Sequence, residues 1–222
     1  MFKLVKAGLL SLVVVSNLVI AAEYDGSKWK GEFEKFAAAE KESPVEPGGV
    51  VFVGSSSIRM WDLKKSFPDK NYLNRGFGGS EIVDSTHNFT ELVAKHKPRL
   101  VVFYAGDNDI ASGMSPEQVL KDFQAFAVKF KSELPKANLL YISIKPSIAR
   151  WKLADKMREA NKLIEGDTHK RPHFHFLDVW PVMLDKDGQP RKDIFLSDGL
   201  HMNEVGYAEW VKLINPLLDF FD

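Results

Sequence analysis

The sequence predicts an α/β fold built on a five-stranded parallel sheet, and three observations carry that expectation. Short runs rich in Val, Ile, Leu and Phe alternate with amphipathic stretches, the pattern of repeated βα units. Two of the runs, Leu100–Tyr104 and Leu139–Ile144, are apolar at nearly every position, as central strands covered on both faces must be. The chain has 222 residues, 45% hydrophobic and 27% charged, which suffices for one sizeable core and excludes disorder, collagen and coiled coil.

Residues 1–22 read as a cleavable secretory signal. Lys3 and Lys6 precede an apolar run from Ala7 to Ile20, and Ala21 and Ala22 stand just before the charged Glu23 and Asp25. The run falls short of the roughly 18 residues that span a bilayer, and Ser16 and Asn17 interrupt it, so no membrane span is expected after cleavage. Residues 23–222 are then expected to form a single exported domain, secreted or periplasmic, with 28 basic and 30 acidic residues. No repeat, linker or low-complexity tract divides it.

Within that domain Trp29, Phe33 and Phe36 fall at helical spacing ahead of a first strand at Val50–Val53. A second strand is read at Tyr72–Asn74, after which Ser80 is expected to cap a helical segment carrying Ile82, Phe89, Leu92 and Val93. The third strand, Leu100–Tyr104, leads to Ser115-Pro116-Glu117-Gln118, an N-cap followed by proline at the first helical position, so a helix runs from there to about Leu134. Its Leu120, Phe123 and Phe130 are core candidates. Leu139–Ile144 is the fourth strand, Leu153–Glu165 a helix, His175–Val179 the fifth strand and Glu204–Ile214 the last helix, which Pro216 is expected to kink or end.

Charge and composition narrow the chemistry. Thirty basic and thirty acidic residues balance, and no Lys/Arg stripe follows a face, which argues against a nucleic-acid partner. The absence of cysteine removes disulfides, thiolate nucleophiles and cysteine-ligated zinc, so any nucleophile is oxygen or nitrogen. His173 and His175 alternate along a strand without an evident third ligand, and Asp185-Lys186-Asp187-Gly188 opens like a calcium loop but has Leu196 where the twelfth-position Glu belongs. Neither is read as a metal site.

Four segments gather at predicted strand ends or near the C-terminus. The first strand runs into Gly54-Ser55-Ser56-Ser57-Ile58, and in an open parallel sheet ligands bind at the carboxyl ends of strands. A serine at such a turn presents its hydroxyl, and its own N–H lies where negative charge is favoured. By itself the segment is an ordinary helix-capping turn. The second strand is followed by Asn74-Arg75-Gly76-Phe77-Gly78-Gly79-Ser80, glycine-rich backbone that can aim N–H groups at an anion; Glu81 replaces the third glycine of a dinucleotide fingerprint. Gly106-Asp107-Asn108-Asp109 follows the third strand, and Asn108 can donate its amide. Asp198-Gly199-Leu200-His201 sets a carboxylate three residues before an imidazole, close enough for one turn to bring the Asp oxygen to Nδ1.

Taken in this order, the four segments resemble the blocks of the SGNH (GDSL-type) hydrolase superfamily, from Val50 to His201, and in particular its platelet-activating-factor acetylhydrolase-like branch. The resemblance implies a three-layer α/β/α, flavodoxin-like fold. It implies Ser56 as nucleophile, Asp198 and His201 as its triad partners, and Ser56, Gly79 and Asn108 as oxyanion donors, with no metal or cofactor. The family's Gly-Asp-Ser reads Gly54-Ser55-Ser56 here, so Ser55 stands where the Asp would be. Arg59, Trp61, Arg150 and Trp151 are candidates to line the substrate pocket. The expectation is an exported serine esterase acting on a short-chain or acetyl ester of a small molecule, glycan or lipid. A thioesterase or lysophospholipase of the same fold, and a non-catalytic envelope or glycan-binding protein with a decayed site, are the alternatives.

Overall fold

The computed structural model describes residues 24–221, so the expected signal segment lies outside the described residues. Strands β1 (Val50–Gly54), β2 (Leu73–Gly76), β3 (Leu100–Tyr104), β4 (Asn138–Ile142) and β5 (Phe174–Leu177) pair in parallel in the order β2-β1-β3-β4-β5. Helix α1 (Lys30–Glu42) precedes β1, and α2 (Ser56–Arg59) and α3 (Leu63–Ser66) join β1 to β2. Then α4 (Ile82–His87) and α5 (Phe89–Leu92) lead to β3, α6 (Asp107–Ala111) and α7 (Pro116–Glu133) to β4, and α8 (Ala154–Thr168) to β5. Helices α9 (Trp180–Met183) and α10 (Glu204–Phe221) follow the last strand.

The pleat sends alternate side chains into two separate cores. On one face Val51, Val53, Val101, Phe103, Leu139 and Tyr141 pack against α4, α5, α7 and α8 through residues such as Phe89, Phe126 and Ile164. On the other, Phe52, Val102, Tyr104, Leu140 and Ile142 meet α2, α3, α9 and α10 through Ile58, Leu63, Met183 and Trp210. The result is three layers, helices on both faces of a parallel sheet. The chain leaves β1 for the edge strand β2 and returns across it to β3, so the direction of winding reverses between β1 and β3. The crevice at their carboxyl ends is the position where such sheets bind ligands.

Three local expectations are corrected. Ser80 does not cap α4: its hydroxyl donates to the Phe77 carbonyl at 2.9 Å, and Glu81 caps instead, with Asp84 accepting the Glu81 N–H at 2.7 Å in a reciprocal capping box. On α7 Val119 is buried alongside the expected Phe123 and Phe130, while Leu120 is half-buried at the core margin. Helix α10 continues through Pro216 to Phe221. An interior proline costs about 3 kcal/mol. Past it, however, Leu218 is buried and the Phe221 carbonyl accepts from Arg99 Nε at 3.0 Å, so the final turn has partners that hold it in place.

Candidate active site

Strand β1 delivers Ser56 to the crevice through a glycine that no other residue can replace. Gly54 has φ +133°, and a Cβ there would lie 1.9 Å from the Tyr104 carbonyl oxygen, so β1 and β3 run this close only because position 54 is bare. The Ser55 N–H then donates to that same carbonyl at 3.0 Å, and Ser56 opens α2. Of the three serines, Ser55 and Ser57 are buried and only Ser56 lines the cleft. The Ser55 hydroxyl, standing where the family places its Asp, is buried without a hydrogen-bond partner among the described residues.

His201 and Asp198 lie on a tight loop. The Leu196 N–H donates to the His201 carbonyl at 2.8 Å and the Gly199 N–H to the Leu196 carbonyl at 2.9 Å, with Gly199 at φ +63°. Asp198 Oδ1 accepts the Leu200 and His201 N–H groups, each at 2.9 Å, and Oδ2 lies 2.6 Å from His201 Nδ1. The bond to His201, with help from the backbone N–H groups, lowers the Asp198 carboxyl to about 2, so it is ionised at neutral pH. Facing that carboxylate, Nδ1 carries a proton and donates, and Nε2, 3.0 Å from Ser56 Oγ, is the nitrogen placed to take the serine proton. A hydroxyl, a base and an orienting carboxylate are thus joined in sequence.

The remaining side of the cleft holds Gly79 and Asn108. Gly79, at φ +69° with open space around its Cα, lines it together with Ser56, Asn108 and His201. Asn108 Nδ2 donates to the Ser80 carbonyl at 2.9 Å while its oxygen accepts from Arg150 Nη2 at 3.0 Å. An acceptor on one side and a donor on the other fix which way the amide points and leave its second N–H free of both bonds. Arg150 Nη1 is also paired with Asp107 at 2.9 Å.

Behind this loop Lys145 is fully buried. Its ammonium donates to the carbonyl of Leu200, the residue before His201, at 2.8 Å and lies 4.0 Å from Asp107 Oδ2; burial pulls its pKa down while Asp107 pulls it up. Asp109, on the same short helix as Asn108, is buried too and accepts the Ile82 N–H at 3.0 Å; burial raises its carboxyl to about 7. Sequence reading passed over Lys145, whose only signal is a lysine immediately after an apolar strand.

A sequence profile of the GDSL-like lipase/acylhydrolase family matches residues 54–209, a span that holds all of these groups. The chain belongs to that family, and it is an ester hydrolase. It is 26% identical over 198 residues to human platelet-activating factor acetylhydrolase IB subunit alpha1, covering 86% of this chain and 83% of that one. A GDSL-like lipase from Bacteroides thetaiotaomicron superposes with a TM-score of 0.70 at 21% identity over 84% of this chain and 97% of the other. A carbohydrate esterase family 3 structure from Talaromyces cellulolyticus does so with 0.62 at 16% identity over 78% and 98%. These two likenesses concern the fold.

Two of the four pocket candidates in this GDSL-family chain lie elsewhere. Arg59 and Arg150 line the cleft, but Trp61 is buried under α10, within 5.4 Å of the Phe52 and Tyr207 rings and donating Nε1 to Ser66 Oγ at 2.9 Å. It follows the end of α2, where the chain has turned back to the core. Trp151 packs with Trp180 at 6.1 Å, at the margin of the other core. Lys28, Trp29, Glu32 and Lys35, at the start of α1 and just before it, line the cleft in their place, which the local sequence gave no means of foreseeing. Among the described residues, no group of three or more His, Asp or Glu is placed to hold a metal ion, and no helix is long and apolar enough to cross a membrane.

Proposed function

We propose that the chain is an exported serine esterase that removes short acyl groups, acetyl first among them, through an acyl-enzyme on Ser56. The observation that carries this is the continuous path from Ser56 Oγ to His201 Nε2 at 3.0 Å and from His201 Nδ1 to Asp198 at 2.6 Å. His201 Nε2 takes the Ser56 proton as Oγ attacks the acyl carbon, and Asp198 stabilises the imidazolium that forms. The charge on the carbonyl oxygen is met by the Ser56 and Gly79 N–H groups and the Asn108 amide. Collapse breaks the ester bond, His201 returns the proton to the leaving alcohol, and water repeats the cycle to release the acid and restore the serine. The reaction needs no cofactor.

Acetyl preference is supported by a cleft of about 610 Å³ whose lining is dominated by glycines and polar side chains, with Trp29 and Leu200 as its large apolar members. A long acyl chain would find little apolar surface there. The name of the human relative, an acetylhydrolase, points the same way. Export rests on the pattern of residues 1–22.

The test is hydrolysis of p-nitrophenyl esters from acetyl to octanoyl by the protein lacking residues 1–22, beside Ser55→Ala, Ser56→Ala and Ser57→Ala variants checked for folding. Acetate should be turned over fastest, and Ser56→Ala alone should lose about 10³-fold or more in kcat. Retention of activity by Ser56→Ala, or a preference for octanoyl, would overturn the corresponding part of the reading.

A further inference from the structure

The cleft around Ser56 carries an excess of positive charge in a domain whose residues 23–222 hold 28 basic and 30 acidic residues. Lys28, Lys35, Arg59 and Arg150 line it, against Glu32 as the one carboxylate in the lining. Two of these cations already have carboxylate partners, Arg150 with Asp107 at 2.9 Å and Lys35 with Glu32 at 4.0 Å. Lys28 lies over the Trp29 ring, 4.0 Å from its centroid, and no carboxylate is within ion-pair distance of it or of Arg59 among the described residues.

Arg59 is an exposed residue whose side chain has no hydrogen-bond or ion-pair partner among the described residues. It follows Ser56 by three positions on α2, which sets the two side chains on the same side of the helix. Its backbone is pressed onto β2, since a Cβ at Gly76 would lie 2.1 Å from the Arg59 nitrogen. Its guanidinium lies along Gly78, where a Cβ would be 3.0 Å from Nε, so the planar group rests against bare backbone next to Gly79. The Gly78 carbonyl is occupied by Trp29 Nε1 at 2.9 Å and does not compete for it. A planar fork of N–H donors therefore lines the cleft beside Gly79, with no acceptor among the described residues. Carboxylate and phosphate oxygens match that fork.

We propose that the ester taken by this site carries a negative charge of its own, a carboxylate or a phosphate close to the scissile bond, bound by Arg59 with Lys28 adding attraction. This rests on the serine-esterase reading above. The substrate class is thus an acylated anionic compound, and Arg59 is the residue that selects it.

The experiment compares phenyl acetate with three para-substituted analogues: 4-acetoxybenzoate, 4-acetoxyphenyl phosphate and (4-acetoxyphenyl)trimethylammonium. Each kcat/KM is divided by the ester's own hydroxide-catalysed rate, which removes differences in intrinsic reactivity. At least one anionic ester should exceed phenyl acetate by about tenfold, the factor that roughly 1.4 kcal/mol supplies, and the cationic ester should fall below it. The more favoured anion identifies the chemistry, carboxylate or phosphate. Arg59→Gln should cut the anionic-to-neutral ratio by about fivefold or more, Lys28→Gln by less, and salt near 0.5 M should lower it in the wild type. A ratio taken within one variant is insensitive to the fraction of protein that folds. Equal normalised rates for all four esters, or a ratio that Arg59→Gln leaves unchanged, would overturn the anionic preference and spare the esterase reading. No turnover of any of the four would overturn both.

Discussion

Replacing Asn108 by aspartate probes the oxyanion assignment more sharply than replacing it by alanine. The amide is fixed between the Ser80 carbonyl at 2.9 Å and Arg150 at 3.0 Å, so its remaining N–H is the group available to a developing oxyanion. Alanine deletes that donor, a loss of about 10²–10³ in kcat, or ~2.7–4 kcal/mol. Aspartate keeps the shape and strengthens the bond to Arg150, yet it places a carboxylate oxygen where the donor stood. Two like charges about 4 Å apart at an effective dielectric near 20 repel by about 4 kcal/mol, of which Arg150 offsets a part. Asn108→Asp should therefore be slower than Asn108→Ala by at least about tenfold, although it is the closer match in volume. The assay is kcat and KM on p-nitrophenyl acetate, with thermal melts in parallel to establish that both variants fold. If Asn108→Asp were as active as Asn108→Ala or more so, Asn108 would be a spacer and the oxyanion assignment would fall.

Two further outcomes follow from the buried charges. Because folding raises the Asp109 carboxyl to about 7 from 3.8, the folded state holds a proton that the unfolded chain releases. That contribution to stability is complete below pH 3.8 and is lost as pH rises through about 7, on the order of 4 kcal/mol in all. Buried His96, lowered to about 4 from 6.5, acts in the opposite sense over much of the same range, so the informative quantity is the difference between wild type and Asp109→Asn in urea unfolding. That difference should move in favour of the variant from pH 4.5 to pH 7.5, and parallel curves would count against a protonated Asp109. Lys145→Met should leave the Leu200 carbonyl unpaired, costing about 1–3 kcal/mol in unfolding and loosening the His201 loop, with kcat down about tenfold and KM within about twofold. Unchanged kcat in a destabilised Lys145→Met would make Lys145 a structural residue alone.

The strands were legible because Leu100–Tyr104 and its neighbours are buried on both faces, and nothing but apolar residues suits such positions. Strand order was not, since no local pattern records that β1 lies between β2 and β3. The segments that carry Ser56, Gly79, Asn108, Asp198 and His201 could be picked out because each follows a strand or forms a short polar motif, and the resemblance to the family's blocks selected the residues within them. What sequence missed depends on tertiary approach. The α1 wall of the cleft and the buried Lys145 contact the site across the fold, and Trp61, so near Ser56 in sequence, is turned away by the end of a helix of a single turn. At Ser80 the local rule itself misled, because Glu81 and Asp84 formed the stronger cap.

The loop from Leu196 to His201 closes on itself through its own backbone and the Asp198 side chain, so the carboxylate and imidazole are already matched within one short stretch of chain. Ser56, by contrast, is 145 residues away from the imidazole it meets. That single bond spans nearly the whole domain and forms only when β1, β3 and the C-terminal segment have all docked. Reactivity of Ser56 toward an active-site titrant would then count molecules that have completed their long-range assembly. Refolding followed by titrant and by circular dichroism would separate the last docking step from the earlier growth of helix and sheet.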